Sequence, residues 1–143
     1  MEFSDVIKNR YSCKKFSSEQ IGKDKLDAIL EAGRVAPTAK NLQEQHIYVV
    51  QSESALETID KLTPCRYNAP TVLIVAYNKN NVFTYLGDKR NSGIEDATIV
   101  ATHLMLAAYN EGVDSCWINF FNPDELAKAF NLPEDEEILM LLD

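Results

Sequence analysis

The sequence predicts one domain, residues 1–143, in which helices and strands are mixed, and three observations carry that prediction. From Ile94 to Tyr109 the chain is apolar almost all the way round. Ala97, Ile99, Val100, Ala101, Leu104, Met105, Leu106, Ala107 and Ala108 cannot share one helical face, so a helix here needs cover on more than one side. Thr71–Tyr77, TVLIVAY, is a continuous apolar run rich in β-branched residues, as in a central strand buried on both faces. The length, 143 residues, suits a single domain with a real core.

Composition narrows the function. A formal net charge of -8 argues against a broad nucleic-acid footprint, which wants a basic face. Cys13, Cys65 and Cys116 are odd in number and lack CxxC spacing, which suits reduced thiols in a cytoplasmic protein. Two histidines without clustered ligands speak against a zinc site. The N-terminus has no apolar leader. The run from Ile94 falls short of the roughly 18–20 apolar residues of a membrane span.

The elements follow in order. Phe3, Val6 and Ile7 give Glu2–Asn9 a helical spacing. Next, Lys8, Arg10, Lys14 and Lys15 put four cations within eight positions of an otherwise acidic chain. If the segment is extended, Arg10, Ser12 and Lys14 share one side while Tyr11 and Cys13 take the other. Guanidinium, hydroxyl and ammonium all donate, which makes a fork for a phosphate. Taken alone, such a cluster is more often a solvated basic turn.

Leu26, Ile29 and Leu30 mark a helix from Asp24 to about Val35, stopped by Pro37. Thr38–Gln43 is a short polar loop in which Asn41 and Gln43 each offer a donor and an acceptor, able to read the mixed edge of a heterocycle. A plain helix-to-strand connection would look the same. Ile47–Val50 is a strand and Ser54–Leu62 a helix. Val82–Ser92 reads as a mobile loop, with Phe83 and Tyr85 available to cover a site. Glu95, Asp96 and Gly112 suit the ends of the central helix. Asp96, a carboxylate at the head of the most buried element, needs a partner. Ser115–Ile118 is a short strand, Asn122–Pro123 a helix start, Pro133–Glu137 an acidic turn, and Ile138–Leu142 a last strand. With nothing after it, that strand is expected at a sheet edge, or else the chain is cut short.

No nucleophile elbow, catalytic triad, Walker A motif or GxGxxG loop is present. A basic fork, an amide loop and a carboxylate-headed helix remain, and together they suit a flat heterocycle with a phosphate tail.

In this order the same stretches resemble the FMN-dependent nitroreductase family. Arg10-Tyr11-Ser12-Cys13-Lys14-Lys15-Phe16 is similar to its R-x-S-x-R/K-x-F opening. Ala36-Pro37-Thr38-Ala39-Lys40-Asn41-Leu42-Gln43 is similar to A-P-S-x-x-N-x-Q. Asp96-Ala97, Leu104–Ala108, Gly112 and Cys116-Trp117-Ile118 are similar to its D-x-x-x-A…L-x-L-A-A…G…C-W-I block. The resemblance implies an α+β fold with a mainly antiparallel central sheet flanked by helices. It also implies a homodimer with the long buried helix at the interface and FMN at the seam. Arg10 and Ser12 are then expected on the phosphate and ribityl chain, with Tyr11 in the same cofactor-binding segment. Lys14 is expected near the flavin N1/O2 edge, and Asn41 and Gln43 toward the ring.

The implied reaction is a ping-pong hydride transfer from NAD(P)H through flavin N5 to a nitroaromatic, quinone or similar acceptor. The flavin carries the chemistry, so no catalytic side chain is expected. The alternative is a non-catalytic flavin-binding sensor or carrier of the same fold. Two departures stand out. Where the family often has Pro-Trp after its Gln, this chain has Glu44-Gln45-His46. The family's basic C-terminal segment and arm do not follow Asp143. Losing one charge-assisted hydrogen bond there implies FMN binding weaker by about tenfold to a hundredfold.

Overall fold

The computed structural model describes all 143 residues. The helices are α1 (Phe3–Asn9), α2 (Lys23–Arg34), α3 (Glu53–Asp60), α4 (Gly93–Asn110) and α5 (Pro123–Ala129), with a 3-10 turn at Ala39–Asn41. The strands are β1 (Gln45–Val50), β2 (Val72–Asn78), β3 (Trp117–Ile118) and β4 (Glu136–Leu142). All pairings are antiparallel, in the order β1-β2-β4-β3. The fold is therefore α+β, with helices on both faces of the sheet.

β2 is buried on both faces, as its unbroken apolar run requires. Leu73 and Val75 point to α2 and α4, where they meet Ile29, Val100, Ala101 and Leu104. Val72, Ile74 and Ala76 point the other way, to Ile59 of α3 and Leu126 of α5. In β4 the alternation slips. Met140 pairs with Val75 and Ile138 with Ala76, which leaves Leu139 as the extra residue of a bulge. The bulge lets Met140 and Ile138, two positions apart, serve opposite cores.

β4 lies between β2 and β3, so it is an interior strand and not the expected edge. Glu136 and Glu137, read as part of an acidic turn, begin it. Glu136 tolerates burial because Tyr48 Oη donates to it at 2.6 Å and His46 Nδ1 also contacts it.

α4 packs against α2 at Gly33, where an added Cβ would come within 2.7 Å of Leu104 Cδ2. That close approach is open only to glycine. The hydroxyls of Thr98 and Thr102 bond back to the carbonyls of Ile94 and Thr98, which lets them sit within the apolar run. Within the single chain α4 is not covered all round. Ala97, Val100, Ala101, Leu104 and Ala108 are buried, but Ile94 is 62% and Ile99 37% exposed. No helix is long and apolar enough to cross a membrane.

Candidate functional site

The cationic segment leaves α1 in extended conformation at Arg10. Ser12 forms a parallel bridge with Ser115, and the Cys13 N–H donates to the Ser115 carbonyl at 2.9 Å. The segment is thus fixed to the chain that follows the C-terminal end of α4. Cys13 and Lys15 line a cavity of about 890 Å3, whereas Arg10, Ser12 and Lys14 do not. The period-two alternation keeps those three off the cavity side, as an extended reading requires. Tyr11, expected beside Cys13, is exposed and donates its hydroxyl to Asp114 at 2.9 Å. That bond and the Asp114 charge push Tyr11 up to about 12.

Ser12 and Lys14 are exposed, and Arg10 is half-buried. Arg10 Nε is a buried donor without a protein partner. Buried donors are normally satisfied, and a guanidinium N–H facing no acceptor fits an anion such as a phosphate. The donor set of this segment therefore fits the tail of FMN.

The amide-bearing loop lies elsewhere. Lys40, Asn41 and Gln43 adopt left-handed backbone, with φ of 55°, 53° and 50°. For residues with a Cβ this conformation is strained, so outside contacts must hold it. The Gln43 N–H donates to Thr38 Oγ1 at 3.0 Å, and the Ala39 N–H donates to Asp96 Oδ1 at 2.9 Å. Asp96 thus finds its partner in the first turn of α4, where the helix dipole also favours a negative charge. The side chains of Asn41 and Gln43 are left exposed.

Sequence reasoning missed what stands behind this loop. Glu44 is 2% exposed and Asp96 3%. Burial first, then the adjoining Asp96 carboxyl, push Glu44 up to about 7. The signals were present separately, as an acidic residue where the family often has Pro and a carboxylate lacking a partner. Only the fold joins them.

Val82–Ser92, read as a loop, is an irregular hairpin. Thr84 bridges Asn91, and the Ser92 N–H donates to the Phe83 carbonyl at 2.8 Å. Phe83 and Tyr85 stack edge to face with ring centroids 5.2 Å apart. Lys40 Nζ lies 5.8 Å from the centre of the Phe83 ring, so the hairpin abuts the amide loop.

The two groups of candidate residues do not meet within one chain. Asn41 and Gln43 belong to the loop tied to the first turn of α4, while Arg10, Ser12 and Lys14 are tied to Ser115 beyond its last turn. The 18 residues of α4 span about 27 Å.

This is a protein of the mixed helix and antiparallel-sheet class, with a cationic segment and an amide loop at opposite ends of one helix. A family model described as the nitroreductase family matches residues 7–65 and 64–142, and the chain belongs to that family. A nitroreductase family protein from Clostridium difficile 630 shares 34% sequence identity at a TM-score of 0.95, covering 99% of this chain and 82% of that one. An FMN-dependent nitroreductase from Clostridium difficile R20291 shares 25% identity at a TM-score of 0.85, over 98% of this chain and 84% of that one. YodC of Bacillus subtilis, provisionally assigned as an NAD(P)H nitroreductase, is 28% identical over 176 residues, covering 96% of this chain and 86% of its own.

Proposed function

We propose that this protein is an FMN-dependent oxidoreductase that takes electrons from NAD(P)H and passes them to a small oxidised acceptor, a nitroaromatic or a quinone. The observation that carries this reading is the unpartnered, buried Nε of Arg10 in a segment whose side chains Ser12 and Lys14 also only offer donors to an anion. When bound, FMN would supply the hydride chemistry. The protein's own work is to hold it. Arg10 and Ser12 would grip the phosphate and ribityl chain, with Tyr11 bracing the segment through Asp114. Lys14 would set a positive charge beside the N1/O2 edge. Asn41 and Gln43 would hydrogen-bond the ring.

One chain cannot do this alone, because the two groups stand at opposite ends of α4. A homodimer in which a second copy runs its α4 antiparallel to the first would bring the cationic segment of one subunit to the amide loop of the other. Apolar side chains left exposed on α1 and α4, at Phe3, Ile7, Ile94 and Ile99, supply a surface for that contact.

The test is a titration of purified protein with FMN, followed by NAD(P)H oxidation across a panel of nitroaromatic and quinone acceptors. Micromolar or tighter FMN binding with turnover is expected. Failure to bind FMN overturns the proposal. Binding without turnover on any acceptor makes the protein a flavin carrier or sensor instead.

A further inference from the structure

We propose that the buried Glu44 carboxyl, beside Asp96, holds a proton that helps position the Thr38–Gln43 loop, so that loss of this proton loosens the loop and weakens FMN binding. This rests on the flavin reading above, because it concerns the loop that presents Asn41 and Gln43.

The loop closes on itself with bonds from the Asn41 and Leu42 N–H groups to the Thr38 and Ala39 carbonyls, yet its backbone is strained. Three residues with a Cβ stand in left-handed conformation within four positions, at Lys40, Asn41 and Gln43. The side-chain anchors on the loop's N–H groups are Thr38 Oγ1, which belongs to the loop itself, and Asp96 Oδ1, which does not. Asp96 is therefore the tie between the strained loop and the rigid frame of α4.

Glu44 closes the loop at its other end. Its backbone carbonyl accepts from the Asn78 N–H at 2.9 Å, which fixes it beside β2. Its carboxyl is buried. Both of its oxygens and Asp96 Oδ2 are shielded from water and lack a hydrogen-bond partner, although the nearby Glu44 backbone N–H partly favours the charged form. None of the ion pairs in the structure involves either residue.

Two ionised carboxylates in this setting would be desolvated, unpaired and mutually repelling. One proton removes the conflict. A protonated Glu44 would have a hydrogen to offer the adjoining Asp96 carboxyl, whose Oδ1 already accepts from the Ala39 N–H. Burial and the Asp96 charge both favour the proton on Glu44, pushing it up to about 7.

The other titratable groups around the pair leave it uncompensated. Tyr77 of β2, which feels the Glu44 charge, donates its hydroxyl to Glu137 of β4 at 2.9 Å. Glu95 of α4 accepts from Tyr85 of the hairpin. Lys40 lies over Phe83. No ion pair reaches Glu44, so raising the pH through about 7 puts an uncompensated charge on it behind the loop.

The sign follows from linkage. The folded protein holds a proton that the unfolded chain releases near the ordinary glutamate value. The stabilising contribution is therefore complete below about 4.5 and is lost as the pH rises through about 7.

The experiment compares FMN dissociation constants, read by flavin fluorescence, for wild type and Glu44→Gln between pH 6 and 8.5. The FMN phosphate titrates near pH 6, but it does so in both proteins and cancels in the comparison. Relative to Glu44→Gln, wild type should weaken by about tenfold over this range through loss of the Glu44 proton. Glu44→Gln, a neutral donor of the same shape, should keep the affinity that wild type shows at the low end. Equal pH slopes in the two proteins would overturn the proposal.

A second measurement needs neither FMN nor the variant. Carbon-13 NMR of the wild-type apoprotein should show the Glu44 carboxyl titrating near 7, with the Ala39 and Gln43 amides losing exchange protection over the same range. Titration near 4.5 would equally overturn the proposal. If FMN fails to bind at any pH while Glu44 titrates near 7, the flavin reading fails and the carboxyl pair stands.

Discussion

The two ends of α4 are built on opposite principles. At its head, buried Asp96 ties down a strained loop whose exposed side chains include the amides of Asn41 and Gln43. Beyond its tail, an extended segment carries exposed cations and is held by backbone bonds to Ser115 and one hydroxyl contact to Asp114. On the proposed function, the head is the end that reads the edge of a ring, through a loop of fixed shape. The tail is electrostatic and tolerant, as suits gripping a phosphate. Mutations at the head should therefore be felt first as stability, and mutations at the tail first as affinity.

The largest effect is expected between the two, where a failure would take both ends with it. Ala101 is fully buried against α2 and β2. Ala101→Glu would bury an unpaired charge, and should cost about 4 kcal/mol or more in urea denaturation. A protein that still folds normally would mean the core opens there to solvent.

Next comes the head. Asp96→Ala frees the Ala39 N–H and removes the anchor of the strained loop. A loss of about 2 kcal/mol is expected for a buried bond to a charged acceptor. Because the loop would then relax, FMN affinity should fall as well. If stability is unchanged, the loop is held by something other than Asp96, and the contrast between the ends is wrong.

The tail should behave in the reverse way. Arg10→Ala is expected to leave denaturation within about 0.5 kcal/mol of wild type, because the buried Nε it removes has no protein partner to lose. It should nonetheless weaken FMN binding about tenfold to a hundredfold, the worth of one charge-assisted contact. Unfolding without loss of affinity would make the cationic cluster a structural device.

How much of this was legible in the sequence depends on how local the cause is. α4 and β2 were readable because their apolar patterns are contiguous. Asn122 was readable as a cap because the N–H groups it accepts lie two and three residues on. The helix read over Ser54–Leu62 runs over Glu53–Asp60, and its cap, Ser52, which accepts from the Ala55 N–H, was not picked out. Non-local causes were hidden. Glu136 looked like a turn residue because Tyr48, which permits its burial, lies 88 positions away. Asp96 announced a need for a partner, but the Ala39 N–H that meets it lies 57 positions away. β4 was misjudged for a related reason. Its interior place is set by β3 pairing along its far side, which no pattern within β4 records. The antiparallel order came from the resemblance to a family rather than from periodicity, and the structure agrees with it.

The smallest predicted effect is also the finest test of the division. Tyr11 lies within the cationic segment, yet its hydroxyl is turned to Asp114. Tyr11→Phe removes that bond without touching Arg10, Ser12 or Lys14. Because the side chain is 54% exposed, denaturation should not distinguish the variant from wild type. Affinity for FMN should fall only about twofold, through a looser segment, as read by fluorescence titration. A loss as large as that of Arg10→Ala would instead put the Tyr11 hydroxyl, or the backbone it steadies, in contact with the phosphate itself. The tail would then share the head's dependence on fixed geometry, and charge alone would not describe it.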